Sequence, residues 1–541
     1  MSKRARAKKN DDSLEARIEI SLADAEAGWL TRHQNVQALM EHLEDERNAV
    51  GRAVGETASR QTETVRMAPL GELTAPKIDQ GGPVGTDDFA YVDISSVDNK
   101  LKRITEPKAL AAEAAPSRAK QRLKSGDVLV SMTRPNLNAV AIVPPELDGA
   151  VGSTGFYVLR ANEGTEPRWL YYAVQTQDFV SAMSELVQGA LYPAVRPKDI
   201  RAFEIPHRPL DQQKRIVAEI EKQFSRLDEA VANLKRVKTN LKRYKAAVLK
   251  AAVEGRLVET EAELVEAASR RLDQRQDAAT TYETGEQLLQ RILETRRSQW
   301  QGKGKYKEPA APDTTDLPEL PEGWVWATVD QLLMSLRNGL SKKPEDSEPG
   351  IPILRISSVR PLELDTKDSR FYRLQTNECV DDYKLEVGDV LFVRYNGTKE
   401  LVGVCALVNV VTGALLYPDK LIRGRVVNEQ QVSPSYLAIA ANVGRSRQHI
   451  DELIKTTAGQ QGIAGGEIKQ MPLPLPPFAE QLHIVVEIDR RLSLIREIET
   501  QVDANFQRAE RLRQSILAKA FSGLLLQQYG VKECAESAIS G

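Results

Sequence analysis

The stretch FEIPHRPLDQQKRIVAEIEK (203–222) is written again as MPLPLPPFAEQLHIVVEIDR (471–490). Pro206 matches Pro474, Gln213 matches Gln481, Ile216 and Val217 match Ile484 and Val485, and Glu219 and Ile220 match Glu487 and Ile488. A chain that repeats itself over such a distance has to be divided before any local motif is weighed. The repeat extends both ways. Upstream, YVDISSVDNK from Tyr91 resembles ILRISSVRPL from Ile353, and LKSGDVLVSMTRPN from Leu123 resembles LEVGDVLFVRYNG from Leu385. Downstream, AVLKAAVEGRL from Ala247 resembles SILAKAFSGLL from Ser515. Each half is thus a globular block followed by one long helix.

The blocks have short apolar runs punctuated by Gly, Pro and Asn: DVLVSM, NAVAIVP and TGFYVLR in the first, IPILRIS, DVLFVRY and VGVCALVNV in the second. These predict strands. RWLYYAVQTQDFVSAMSEL and SYLAIAANVGRSRQHIDELI predict one short helical stretch in each block. The fold class is therefore α+β. In the first long helix Leu227, Leu234, Leu241 and Val248 recur every seventh residue, with Ala230, Val237, Tyr244 and Ala251 interleaved. In the second, Ile495, Val502, Ala509 and Ile516 fill the same seam, with Asn505 as a polar member. Two equal helices with matching heptad seams most simply pair with each other as a coiled coil, the alternative being that each packs on its own globular block. Gly255 and Gly523 stand at matching ends as helix stops. The Gly/Lys/Pro-rich stretch that follows a predicted helix at 284–300 is expected to be an extended, mobile connector.

Bulk numbers exclude several classes. At 541 residues the chain exceeds one core. Hydrophobic residues make up 41% and charged residues 28%, as in ordinary globular proteins. The three cysteines show no metal-ligand spacing and no disulfide framework, which points to a reducing, cytoplasmic setting. No apolar run approaches the roughly 18 residues of a membrane span. The net charge of −2 leaves any nucleic-acid contact to local patches. There is no Gly-rich P-loop, no paired His or Cys metal motif and no Gly-x-Ser-x-Gly elbow. AGQQGIAGG (458–466) is glycine-rich but lacks a strand-to-helix dinucleotide context, so it is expected to be a loop. These absences favour a binding scaffold over an enzyme with a divergent nuclease or methyltransferase site. A purely structural coiled coil would not need two different globular blocks.

In this order, LPEGWVW (320–326), GDVL at Gly126 and Gly388, LPPFAEQLHIV (475–485), AFSGLL (520–525) and QLLQRILETRRSQW with KGKYKEP resemble the specificity subunit of type I restriction–modification enzymes. The resemblance covers about 62–527. It implies two tandem α+β target recognition domains, each followed by a long helix, the two helices pairing as an antiparallel coiled coil. It further implies a non-catalytic chain that reads a bipartite, asymmetric double-stranded DNA target. Two modification (methyltransferase) subunits would dock on it and restriction (translocase-nuclease) subunits would join, with S-adenosylmethionine, ATP and Mg in those partners. The expected divisions are an N-terminal basic arm and helical extension (1–61), recognition domain 1 (62–210), spacer helix 1 (211–257), connector (258–319), recognition domain 2 (320–478), spacer helix 2 (479–527) and a C-terminal tail (528–541).

Base readers are sought where the two halves diverge on a shared frame. Arg and Asn make bidentate bonds to guanine and adenine edges. SMTRPNLNAV replaces VRYNGTKELV after the shared GDVL. The candidates there are Arg134, Asn136 and Asn138 in the first block, and Arg394, Asn396, Thr398 and Lys399 in the second. Tyr192, Arg196 and Lys198 in LYPAVRPK, and Gln460 with Gln461, occupy corresponding loops before the long helices. Lys235, Lys238, Lys242 and Lys245 lie along one helix side, but their counterparts Asp503, Phe506, Glu510 and Arg513 are not uniformly basic, so this side is expected to be a solvated face.

Overall fold

The computed structural model describes residues 66–525 apart from 84–87, 188–192, 273–281, 302–303, 347–348, 376–377 and 458–459. The expected N-terminal arm (1–61) and C-terminal tail (528–541) lie outside the described residues. The chain divides into two compact units, 1–238 with 501–541, and 239–500. Two helices, α1 (Leu210–Val253) and α2 (Phe478–Ser522), dominate the secondary structure. Each unit holds one strand-rich block, part of α1 and part of α2.

In the first unit a three-stranded antiparallel sheet centres on Val128–Ser131, flanked by Phe156–Leu159 and Val140–Ile142. A four-stranded sheet is built from Lys108–Leu110, Phe89–Val92, Val151–Ser153 and Ala119–Arg122, in that order. The second unit has a four-stranded sheet in the order Leu333–Asn338, Leu421–Val426, Val390–Val393, Cys405–Leu407. The quoted repeat supplies the closing strand of each block. Glu204–Pro206 pairs antiparallel with Met67–Pro69, and Pro472–Leu475 pairs antiparallel with Val325–Thr328. Proline is tolerated in such two-stranded pairs because an edge position needs no donor there.

The repeated residues turn out to be frame residues. Gln213 is buried, accepts from Glu166 N–H at 2.9 Å and donates to the carbonyls of Arg208 (2.7 Å) and Gly164 (3.2 Å). Gln481 is likewise buried, accepts from Ser433 N–H at 2.9 Å and donates to the Pro476 carbonyl at 3.1 Å. Each glutamine thus ties the start of a long helix to the free amide at the start of its block's own helix. The GDVL motif works in the same way. Gly126 (φ +87) and Gly388 (φ +94) take a left-handed turn that glycine adopts without penalty. The buried Asp127 accepts from Lys124 N–H and from two Arg160 nitrogens at 2.8 and 2.6 Å. The buried Asp389 accepts from Glu386 N–H and from Arg425 at 2.6 Å.

The single helical stretch expected in each block is broken in two. Pro167–Ala173 and Gln177–Glu185 are separated where the Thr176 hydroxyl accepts from Phe179 N–H and starts a new helix. Pro434–Ala441 and Gly444–Leu453 are separated where Asn442 donates to the Cys405 and Ala438 carbonyls and Gly444 turns left-handed (φ +60). AGQQGIAGG also differs from expectation: Gln460–Gly462 is a strand and Gly465–Lys469 a short helix.

The long helices pair antiparallel. In the first unit Arg513 contacts Asp228 and Lys238 contacts Asp503 at 2.6 Å, so numbering rises along α1 as it falls along α2. Leu227, Leu234, Val502, Ala509 and Ile516 are buried there, and so are Leu241, Val248 and Ile495 in the second unit. Asn505 is half-buried. Toward each C-terminal end burial spreads beyond one stripe: Val248, Leu249 and Ala252 on α1, Ile516, Leu517 and Ala520 on α2. The cause on α2 is explicit, since Phe521 stacks on Trp169 with ring centroids 4.2 Å apart and the helix end joins the first block's core.

The described part of the connector makes specific contacts with its surroundings. Gly285–Ser298 buries Leu288, Leu289 and Ile292, while Arg296 donates to the Leu333 carbonyl and the Tyr306 hydroxyl. Beyond it Thr328 donates to the Ala310 carbonyl and Trp326 to that of Pro318. Donors from this helix and from the strand Val325–Thr328 thus hold a segment that has too little apolar surface to hold itself.

Candidate nucleic-acid interface

In each block the strand of the GDVL motif runs out into a divergent loop, and that loop lies against the segment that precedes the closing strand. In the first block Thr133 bridges Ala194, Arg134 N–H donates to the Pro193 carbonyl at 2.8 Å, and Val195 N–H donates to the Met132 carbonyl at 2.9 Å. In the second, Tyr395 and Asn396 pair with Gly462 and Gln461, and Ile463 N–H donates to the Arg394 carbonyl at 3.0 Å. Candidates from two distant stretches of sequence are therefore neighbours in both blocks.

Arg134 and Asn136 are exposed and Asn138 is half-exposed. Arg134 (φ 49) and Asn138 (φ 45) both have left-handed backbone, and so has Lys102 (φ 54), whose ammonium donates to the Asn138 carbonyl at 2.6 Å. Three of the four non-glycine residues with positive φ among the described residues thus meet at this one turn. Such strain persists only where surroundings over-determine it. The surroundings include Tyr171, whose hydroxyl donates to the Lys102 carbonyl. Burial, partly offset by Glu510, lowers the Lys102 ammonium to about 8. A cleft of about 360 Å³ lined by Ile94, Asn99, Thr133, Arg134, Leu137 and Pro193 opens beside the turn. Arg196 is the exposed N-cap of Pro197–Ala202, with Lys198 exposed on that helix. Tyr192 lies outside the described residues.

In the second block Thr398, Lys399 and Gln460 are exposed, and Asn396 and Gln461 are half-exposed. The Asn396 side-chain oxygen already accepts from Thr398 N–H at 3.0 Å, so Asn396 shapes its turn as well as facing outward. The Arg394 guanidinium lies 4.7 Å from the Tyr395 ring centroid and the Lys420 ammonium 5.4 Å from the same ring. Neither Tyr395 nor Lys420 is among the candidates expected from the sequence. Tyr395 was visible beside Arg394, but nothing in the sequence links position 420 to it. The two arginines are also not equivalent. Met132 N–H donates to the Gly155 carbonyl as Arg394 N–H donates to that of Lys420, so Arg394 stands in the place of Met132 and Arg134 in that of Asn396.

The lysine row on α1 is largely engaged: Lys238 pairs with Asp503 and Lys245 with Glu363. Among the described residues no His, Cys, Asp and Glu cluster could hold a metal ion, and no helix is long and apolar enough to cross a membrane.

Two α+β blocks, each followed by a long helix, sharing a frame and differing at their loops, define a class of tandem-domain scaffold. A chain from a structural study of complex assembly and conformational transition of the type I R-M system shares this fold, with a TM-score of 0.59 at 24% identity over 85% of this chain and 98% of that one. The specificity subunit of the type I restriction enzyme EcoKI from Escherichia coli K12 is 30% identical over 453 residues, 83% of this chain and 81% of its own length. The StySPI specificity subunit from Salmonella potsdam is 24% identical over 452 residues, with the same coverage. The chain belongs to the family of type I restriction enzyme specificity subunits. No protein-family model matches it.

Proposed function

We propose that this chain is the sequence-reading, non-catalytic subunit of a type I restriction–modification complex, and that each block reads one half of a bipartite, asymmetric double-stranded DNA target. The observation that carries the reading is the side-by-side arrangement of two polar segments in each block, on a frame kept by Asp127, Asp389, Gln213 and Gln481. One frame with two different sets of outward side chains is what an asymmetric target requires. Phosphate contacts would set register, while Arg134, Asn136, Asn138, Arg196 and Lys198 serve one half-site and Arg394, Thr398, Lys399, Gln460 and Gln461 the other. Asn396 would contribute only through the amide nitrogen left over from its turn. Tyr192, close before Arg196 in the sequence, belongs to the proposed first surface by sequence position alone. Two modification subunits bound along the paired helices, with restriction subunits joining, would supply S-adenosylmethionine, ATP and Mg chemistry in a cytoplasmic assembly.

The test is the methylome of cells producing this chain with its partners, repeated with Arg134→Ala. A two-part motif is expected, and the variant should relax one position in one half while leaving the other half intact. A continuous symmetric motif would refute the reading. Uniform loss across all positions would make Arg134 a phosphate contact instead.

A further inference from the structure

The edge where Tyr395–Asn396 meets Gln460–Gly462 carries an arrangement that the family relationship does not assign. One aromatic ring supports two cations, Arg394 at 4.7 Å and Lys420 at 5.4 Å. Gly462 lies directly across from Tyr395, and a Cβ there would fall 2.3 Å from the ring's Cδ1, so the opposing strand leaves this space for the ring. Other arginines of the block, such as Arg337, Arg355, Arg370 and Arg425, are paired with carboxylates. Neither Arg394 nor Lys420 has a carboxylate partner among the described residues. The Arg394 Nε is enclosed and has no hydrogen-bond acceptor. A desolvated donor without an acceptor is unfavourable. Two like charges on one ring also repel each other, and the attraction of the ring face only partly offsets that. A polyanion seated on the edge would neutralise both cations.

Resting on the DNA-reading function proposed above, we propose that Tyr395 is the positioning residue of the second reading surface. It holds Arg394 for a bidentate contact to the O6 and N7 of one guanine, and Lys420 for a neighbouring phosphate. The equivalent positions in the first block are Met132, Thr133 and Gly155, which have neither ring nor cation, so the device serves one half-site only.

The experiment selects binding sites from a random duplex pool with the full-length chain, then titrates single-base variants of the selected site across a salt series. Tyr395→Phe should leave motif and affinity unchanged. Tyr395→Ala and Arg394→Lys should each relax the same single guanine position by roughly 5- to 150-fold and spare the other half-site. Lys420→Ala should weaken all sequences alike and reduce the salt slope by about 0.9. An intact first half-site shows that each variant is folded, and Arg394→Lys tests the contact without removing the ring. If wild type selects a two-part motif but Tyr395→Ala and Arg394→Lys keep it unchanged, the positioning role is overturned while the DNA-reading function stands. If both variants lose affinity uniformly, neither acts through a single base and the specificity role is overturned. If wild type selects no motif, the DNA-reading function falls and takes this role with it.

Discussion

Asp127→Ala tests the claim that the repeated residues are frame and the unrepeated ones are readers. The Asp127 carboxylate is 1% exposed and receives three hydrogen bonds, two from Arg160 and one from Lys124 N–H. Truncation leaves the turn amide without an acceptor and the Arg160 guanidinium, 21% exposed, without its counter-charge. Breaking a fully buried pair costs about 3–5 kcal/mol, and partial access of water to Arg160 places the cost near the lower end, about 3 kcal/mol. Asp127→Asn should cost less, because the amide oxygen still accepts from Lys124 N–H. Adding Arg160→Met to Asp127→Ala should recover part of the loss, since removing both partners is cheaper than orphaning one. The assay is equilibrium denaturation of the full-length chain, with the selected DNA motif as a second readout. The motif should not change in identity, because Asp127 faces the core. An unchanged denaturation midpoint, or a changed base preference, would refute the reasoning.

Replacing Leu234 and Leu241 by Asp places charge at two buried seam positions and should cost several kcal/mol; an unchanged melting temperature would exclude the pairing. Glu480 is buried, accepts from the Trp324 indole at 2.9 Å and from Glu261 N–H, and is pushed up to about 7 by burial, with Glu261 and Glu263 nearby. A carboxyl with a raised folded-state pKa destabilises the fold as it ionises. Stability should therefore fall between pH 4.5 and about 7, and Glu480→Gln should flatten that slope and gain on the order of 1–3 kcal/mol at pH 8. A variant with the same pH profile as wild type would show that another group titrates there.

By itself the sequence determined the duplicated plan, the two long helices and their seams, because periodicity and self-similarity need no knowledge of what lies across the core. It also marked the frame, since Gly126, Asp127, Gln213 and their counterparts stand in the repeated stretches. Only tertiary structure decided what those residues do: Gln213 meets Glu166 and Asp127 meets Arg160 across intervals of sequence that no local pattern spans. The same holds for the candidate interface. Lys420 and Gly462 lie far from Tyr395 in sequence, yet the fold brings both against its ring. The contacts of the Pro-rich part of the connector were likewise hidden, because Trp326 and Thr328, which donate to the Pro318 and Ala310 carbonyls, lie beyond it in the chain. Local composition reports what a segment can do alone. Which acceptors and ring faces come within reach is settled only when distant strands close on one another.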